Sequence, residues 1–441
     1  MTWRFFVMRR YFALLALIVV GLVCAGRCRA DSALVITCQK PDGVYNVGQT
    51  IRWDVRWTAP GAIASADYAV KRGGRTEIER GKLTFTNGAC AITARLDRPD
   101  TILLEITVDS TDGAHHRAIG GAVAAPDRIF PAAACPPDFD AFWNAKVREV
   151  QAVAPNPRLV AVDSQKPGVD YWQITLDNIR GTHVQGQIAR PSKGDKFPAL
   201  LIPQWAGVYP LEKSWVTDRA AEGWLALDLC AHDIPIDRPA AFYKSQYNGP
   251  LKNYWAIGND DRDTSYYLRM YLSCYQAAEY LVGRPDWDGK TLVVSGGSQG
   301  GQQALAVAVL YPHFTAVLVN RPAAGDMLAP EAGRAPGFPM WYYQTHGKDP
   351  QKVHLASEYY DPANFAPRIK CPVLFGAGLL DEIAPPSSVF AVFNRIASPK
   401  QIVIMPNATH ESEGVTTKAY NARWGQWTSN LRHGNPPPVE R

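Results

Sequence analysis

Beyond its first thirty residues the sequence has no surplus of charge, no apolar run long enough to span a bilayer, no cysteines at metal-ligand spacing, and no repeat or low-complexity tract. Each absence removes a class of function. Of 441 residues, 46 are Lys or Arg and 41 are Asp or Glu. Arg4, Arg9, Arg10, Arg27 and Arg29 all fall in an acid-free opening segment, so the rest of the chain carries 41 bases against 41 acids. A neutral body lacks the positive surface that phosphate backbones require, which sets nucleic acid aside as a partner. Without a C-x-x-C pair zinc is not expected, and no other metal or cofactor is implied. Apolar runs shorter than about 18 residues exclude stable membrane insertion of a processed chain. What is present is an ordinary globular composition, 46% hydrophobic and 11% aromatic, which excludes disorder over most of the length.

The opening segment has its own logic. Arg9-Arg10 precedes the apolar run YFALLALIVVGLVCAG, and Cys28-Arg29-Ala30 precedes Asp31. A basic start, a short apolar stretch and small residues at the cleavage-determining positions describe a secretory signal peptide over residues 1–30. The run is short for a membrane anchor, and the residues before Cys24 and Cys28 fit a lipobox poorly. The expectation is a secreted or periplasmic protein. Removal of the segment leaves six cysteines: Cys38, Cys90, Cys135, Cys230, Cys274 and Cys371. Cys38 and Cys90 end and begin strand-like runs, which leaves open either a bridge between them or two separate buried thiols. Cys230, Cys274 and Cys371 lie in apolar elements and read as core.

From residue 31 to about 129 the chain alternates polar and apolar residues in short runs such as TIRWDVRW, AITARL and ILLEITVD, broken by Gly, Asn, Asp and Pro. This predicts a small antiparallel β-sandwich of immunoglobulin-like size. His115-His116 beside Gly113 reads as a solvated turn. APDRIFPAAACPP reads as the link to the second domain. Over 130–441 the pattern changes to continuous apolar strands (ALLIPQW, GWLALDL, TLVVSGG, AVLVN, CPVLFGAG, QIVIM) alternating with amphipathic helices. That alternation predicts an α/β fold, a mostly parallel sheet covered on both faces. Residues 322–367 break the alternation and are expected as an insertion over the sheet edge.

The chemistry concentrates in Gly296-Gly297-Ser298-Gln299-Gly300, a G-x-S-x-G pattern at the end of a strand and the start of a helix. Such a turn holds a serine strained and exposed at the top of the sheet, and the helix beneath favours developing negative charge. A serine nucleophile needs a base and an acid, which in this fold come in the order Ser, acid, His. Only His410 and His433 come after the candidate acids, and His433 lies in a polar tail. His410 follows the strand QIVIM and a short loop. Asp381 is the first acid after the strand CPVLFGAG, with Glu382 as the alternative. Ser298, Asp381 and His410 are therefore the candidate catalytic residues.

The second half resembles the acetyl xylan esterases/cephalosporin C deacetylases of carbohydrate esterase family seven. The matching residues are Gly296-Gly297-Ser298-Gln299-Gly300-Gly301, GLLDEIAPPSSVFAVFN, His410-Glu411 and the leading helix PDFDAFWNAKV. The resemblance runs from about Pro136 to Trp427 and implies an α/β-hydrolase fold with Ser298, Asp381 and His410 as its triad. It departs where the family's Arg-Gly-Gln is replaced within Leu229-Cys230-Ala231-His232-Asp233, and where its His-Gly-Tyr is replaced by Gln204-Trp205-Ala206. Proteins of that family often form rings, so a homo-oligomer stays open as a partner state.

The expected function is an exported serine esterase removing O-acetyl groups from carbohydrate, or acting on a small acetate ester, through an acetyl-serine. One oxyanion donor is expected at the backbone N–H of Gln299. The other is placed at Ala206, with Trp205 and Gly207 as alternatives. Trp205 and Tyr209 are candidates to line the substrate pocket, while Trp215 leans towards core. Asp260-Asp261-Arg262-Asp263 reads as a solvated loop with Asp263 capping a helix rather than a metal site. His232-Asp233 is either a polar loop pair or a feature of the pocket mouth. Two rivals stand beside this reading. A serine peptidase of the prolyl-oligopeptidase type would need a β-propeller that about 100 residues of sandwich cannot supply. A non-catalytic carbohydrate-binding protein would not need all three triad positions.

Overall fold

The computed structural model describes residues 33–439. The expected signal peptide lies outside the described residues. Strands β1 (Leu34–Cys38), β2 (Val44–Tyr45), β3 (Thr50–Trp57), β4 (Ile63–Arg72), β5 (Thr76–Lys82), β6 (Ala89–Arg95), β7 (Asp100–Ser110) and β8 (His115–Ala124) build the N-terminal part. They form a three-stranded sheet, β1-β3-β6, facing a five-stranded sheet, β2-β8-β7-β4-β5. On β3 the alternation is strict: Ile51, Trp53 and Val55 point inward and Arg52, Asp54 and Arg56 outward. Their inner partners across the sandwich include Val70, Leu104, Ile106 and Val108.

Strand β7 breaks that rule. Thr101 and Leu103, on its outer side, are buried as well as the inward Leu104 and Ile106. An antiparallel strand buried on both faces has something packed against its back. Here it is the α/β portion, and the two parts belong to one compact unit. The Pro- and Ala-rich segment between them is tied down rather than free. Asn394 donates to the carbonyls of Pro126 and Ile129, at 2.7 and 2.8 Å, and the Ala132 N–H reaches Asp326 at 2.7 Å.

Cys38 and Cys90 are free thiols. Strand β3 runs between their strands, pairing Trp53 with Cys38 and Val55 with Cys90. Two strands flanking a third are about 9–10 Å apart, beyond the reach of a disulfide. The pair His115-His116 opens strand β8 rather than sitting in a turn, with His115 Nδ1 2.7 Å from Asp109.

The α/β portion contains helix α1 (Phe139–Gln151), strands β9 (Arg158–Ala161), β10 (Val169–Asp177), β11 (His183–Pro191) and β12 (Phe197–Pro203), helix α2 (Ser214–Ala221) and strand β13 (Leu225–Leu229). Helices α3 (Ala240–Asn248) and α4 (Tyr266–Val282), strand β14 (Trp287–Gly297), helix α5 (Ser298–Leu310) and strand β15 (Ala316–Asn320) come next. Helices α6 (Pro350–Tyr360) and α7 (Pro362–Phe365), strand β16 (Val373–Gly378), helix α8 (Pro386–Arg395), strand β17 (Lys400–Met405) and helix α9 (Lys418–Arg432) complete it. The nine strands pair in the order β17-β16-β15-β14-β12-β13-β11-β10-β9. Pairing is parallel from β13 to β17 and antiparallel among β9, β10, β11 and β13. This is the α/β-hydrolase arrangement. Strands β13 and β16 are buried throughout, as apolar runs covered on both faces require, with Asp228 the one charged side chain in β13. No helix among the described residues is long and apolar enough to cross a membrane.

The insertion at residues 322–367 joins the second and third strands from one edge of the sheet. It leaves from the carboxyl end of β15 and returns to the amino end of β16, its parallel neighbour, and its first part, to Phe338, lies beside the loops at the carboxyl ends of β14 and β16. Its first turn touches the nucleophile turn, where the Ala323 N–H donates to the Ser298 carbonyl at 3.0 Å. A second strap, Phe338 N–H to the Ile383 carbonyl at 2.8 Å, holds it to the loop after β16.

Candidate active site

Strand β14 delivers Ser298 to the first position of α5 with φ at 50°, a left-handed conformation that costs a non-glycine residue energy. The flanking glycines make the turn feasible. A Cβ on Gly296 would lie 2.4 Å from the Gly300 carbonyl, and one on Gly300 would lie 2.3 Å from the Pro203 carbonyl of β12. The second contact is also positional. It sets the start of α5 directly against the end of the strand that leads into Gln204-Trp205-Ala206.

Ser298, Asp381 and His410 converge although they arrive from β14, β16 and β17. His410 Nε2 is 2.9 Å from Ser298 Oγ, and His410 Nδ1 is 2.8 Å from Asp381 Oδ2. Nδ1–H donates to the carboxylate, which leaves Nε2 to accept from the serine hydroxyl. Asp381 is buried, and its second oxygen accepts from the N–H groups of Ile383 and Ala384 at 2.9 and 2.7 Å. Those bonds fix the carboxylate's orientation. Glu382, the alternative acid, points away to an arginine of the sandwich. The histidine loop is anchored too: Arg321 donates to the carbonyls of Thr409 and Ser412, and the Thr409 N–H reaches Ser412 Oγ at 2.8 Å.

The loop after β12 is held by residues that sequence reading did not assign to it. The Tyr254 hydroxyl accepts from the Gly207 N–H at 3.1 Å and donates to Gln299 Oε1 at 2.7 Å. One phenol thus joins the loop after β12 to the start of α5. Gly207 has spent its N–H, which removes it as an alternative oxyanion donor. His232 lies fully buried beneath the loop, with Nε2–H donating to the Gly207 carbonyl at 2.9 Å and Nδ1 accepting from Tyr266 at 2.8 Å. Burial pushes its pKa down to about 3, so it stays neutral and serves as a bracket, not as a pocket-mouth group. Gln204 ties the neighbouring loops by accepting from the Ala231 N–H at 2.9 Å and donating to the Tyr209 carbonyl at 3.2 Å.

Trp205 projects outward, 39% exposed. Its ring meets Trp215 at 4.6 Å and Tyr209 at 5.8 Å, and the Tyr209 hydroxyl donates to the Trp205 carbonyl at 3.1 Å. Trp215 is therefore part of a half-buried aromatic cluster rather than of the core. The acidic run near α4 is taken up by ion pairs: Asp260 with Lys348 at 3.3 Å, Arg262 with Asp138 at 2.7 Å and Asp263 with Lys146 at 2.5 Å. The cap of α4 is Ser265, whose hydroxyl accepts from the Tyr267 N–H, and not Asp263. Among the described residues no group of three or more His, Cys, Asp or Glu is placed to hold a metal ion.

An α/β-hydrolase sheet with a serine at the strand–helix turn, beside a histidine and a buried carboxylate, defines a class of hydrolase. Comparison narrows it. Residues 128–429 match the acetyl xylan esterase (AXE1) family, and the chain belongs to that family of carboxylic-ester hydrolases. It is 31% identical over 393 residues to the acetyl esterase Axe7A of Xylanibacter ruminicola, covering 87% of this chain and 88% of the relative. A match of that length extends N-terminal of residue 128 and takes in part of the sandwich. Two solved structures, acetyl xylan esterase 1 from Thermoanaerobacterium sp. JW/SL YS485 and the acetyl xylan esterase from Paenibacillus sp. R4, share the fold. Each has a TM-score of 0.58 and 23% identity, covering 67% of this chain and 96% of the other.

Proposed function

We propose that this chain is an exported serine esterase that removes O-acetyl groups from xylan or xylo-oligosaccharides through an acetyl-serine on Ser298. The observation that carries the reading is His410 bridging Ser298 and Asp381 with hydrogen-bond geometry at both ring nitrogens. His410 takes the Ser298 proton as Oγ attacks the acetyl carbonyl, and Asp381 orients the ring and stabilises the imidazolium. The sugar hydroxyl leaves with that proton. Water, deprotonated by His410, then releases acetate. The carbonyl oxygen receives N–H groups from Gln299, in the open first turn of α5, and from Ala206, the residue before the braced Gly207. Trp205, with Tyr209 behind it, offers an aromatic face for a sugar ring next to that loop. Export rests on the basic, apolar and small-residue pattern of residues 1–30.

The test is acetate release from acetylated xylan and from an aryl acetate, by the wild-type chain and Ser298→Ala in parallel. Activity on both substrates that vanishes in the variant supports the reading. Activity that survives the substitution, or none from the wild type, overturns it.

A further inference from the structure

The acid loop is held from outside the α/β portion. Glu382 comes directly after Asp381, and Arg117 of strand β8 clasps its carboxylate with two bonds, Nη1 to Oε2 at 3.1 Å and Nη2 to Oε1 at 2.9 Å. The same Nη2 reaches Glu105 of β7 at 2.8 Å, and Lys71 of β4 reaches that carboxylate at 3.0 Å. Three strands of the five-stranded sheet thus aim one charge chain at the residue beside the triad acid.

Beneath the ion pair the contact is backbone on backbone. A Cβ on Gly121 would lie 2.4 Å from the Leu379 carbonyl oxygen and 3.0 Å from the Leu380 side chain, and one on Gly43 would lie 2.6 Å from the Leu379 side chain. Gly120 faces the other way, where a Cβ would lie 2.8 Å from Ile36 and 3.0 Å from Trp53. The glycine pair lets β8 press on the sandwich core with one face and on the acid loop with the other. On its far side that loop is bonded to the histidine loop, Leu379 N–H to the Met405 carbonyl and Leu380 N–H to the Ala408 carbonyl, both at 3.1 Å.

We propose that the sandwich is a positioning element of the active site, fixing through Arg117–Glu382 and Gly121–Leu379 the loop that carries Asp381 and hence the aim of His410 at Ser298. The proposal rests on the triad reading above. Arg117 and Gly121 touch neither substrate nor reacting atoms; they act through Asp381. The two solved family structures are covered at 96% by 67% of this chain, so about a third of this chain has no counterpart in them. The relative matched over 87% of the chain reaches into the sandwich.

The test uses the full chain and an aryl acetate too small to touch the sandwich. Arg117→Glu and Glu382→Arg each set like charges against each other, and the double variant restores the pair with its polarity reversed. Arg117 and Glu382 are both about two-fifths exposed, and Lys71 still neutralises Glu105 when Arg117 is replaced, so melting should shift little; it is measured on every variant, and kcat is compared among those that melt near wild type. Displacing the acid loop should lower kcat about tenfold in each single variant while KM stays within about twofold. The double variant should recover most of kcat. Gly121→Ala should lower kcat as well; if it fails to fold, the charge series decides alone. Single variants with wild-type kcat, or a loss that the double variant does not recover, overturn the proposal. Ser298→Ala run alongside separates the two readings. If it retains activity the triad itself is wrong, whereas if it is inactive and the charge variants behave as wild type only the positioning role fails.

Discussion

The hydroxyl of Tyr254 donates to the side-chain oxygen of Gln299 at 2.7 Å, and both residues are fully buried. Gln299 carries one proposed oxyanion N–H, and the same hydroxyl accepts from Gly207, the neighbour of the other. The loop after β12 and the start of α5, the two sources of the proposed anion site, are set relative to each other by one oxygen atom.

Tyr254→Phe removes that oxygen and leaves the half-buried Gly207 N–H and the buried Gln299 Oε1 unpaired, at a cost of about 1–3 kcal/mol in stability. The oxyanion donors lose registration, so kcat on an aryl acetate should fall about tenfold with KM little changed. Steady-state kinetics and denaturant unfolding of the same preparation check both halves. Unaltered kcat would show that Tyr254 is packing only.

Asp381 and Glu382 differ by one position and by everything around them. Asp381→Asn places an amide opposite His410 Nδ1 and should lower kcat by about 10,000-fold. Glu382→Gln keeps one bond to Arg117 and should cost no more than about tenfold. The reverse order of severity would move the acid role to Glu382.

Trp205→Ala strips the exposed ring from the aromatic cluster. If that ring stacks on sugar, KM for an acetylated xylo-oligosaccharide should rise about 3- to 10-fold while KM for the aryl acetate stays put. Equal effects on both substrates would assign Trp205 to the acetyl end of the pocket.

Asp228, in the middle of β13, is fully buried and accepts from Gln187 at 2.8 Å; burial pushes its pKa up to about 7. The folded state therefore keeps a proton that the unfolded chain releases near pH 4. Stability from this group is complete below that value and is lost as pH rises through about 7, at up to about 1.4 kcal/mol per pH unit. Asp228→Asn should accordingly gain on wild type from pH 5 to pH 8. Denaturation midpoints at those two pH values decide it, and parallel curves would mean that Asp228 is ionised in the fold.

Much of this was legible in the sequence because the signals are local. The G-x-S-x-G turn announces itself by its own glycines, and the acid and the histidine come after apolar strands that are plain on inspection. Strand β3 reads correctly because its alternation is strict. Tyr254 was not legible. Its role exists only because the chain ahead of α4 brings it against two loops from different strands, and nothing in the run KNYWAIG marks it. His232 was noticed, yet its burial depends on Tyr266 and Gly207, 34 and 25 residues away. The insertion's contact with the nucleophile turn was not legible, because sequence shows where the alternation stops but not that β15 and β16 are neighbours. Cys38 and Cys90 likewise needed the strand order before β3 could be seen between them.

Arg117 and Glu382 are 265 residues apart in sequence, which has a consequence for synthesis. A ribosome adding about 5–20 residues each second completes the sandwich tens of seconds before the acid loop exists. During that interval the outer face of the five-stranded sheet, with Thr101, Leu103 and Gly121, has no partner of its own chain. A nascent chain stalled between them leaves Leu103 and the backbone at Gly121 uncovered, on a face where Lys71, Glu105 and Arg117 supply charges that oppose pairing with other chains until the acid loop arrives.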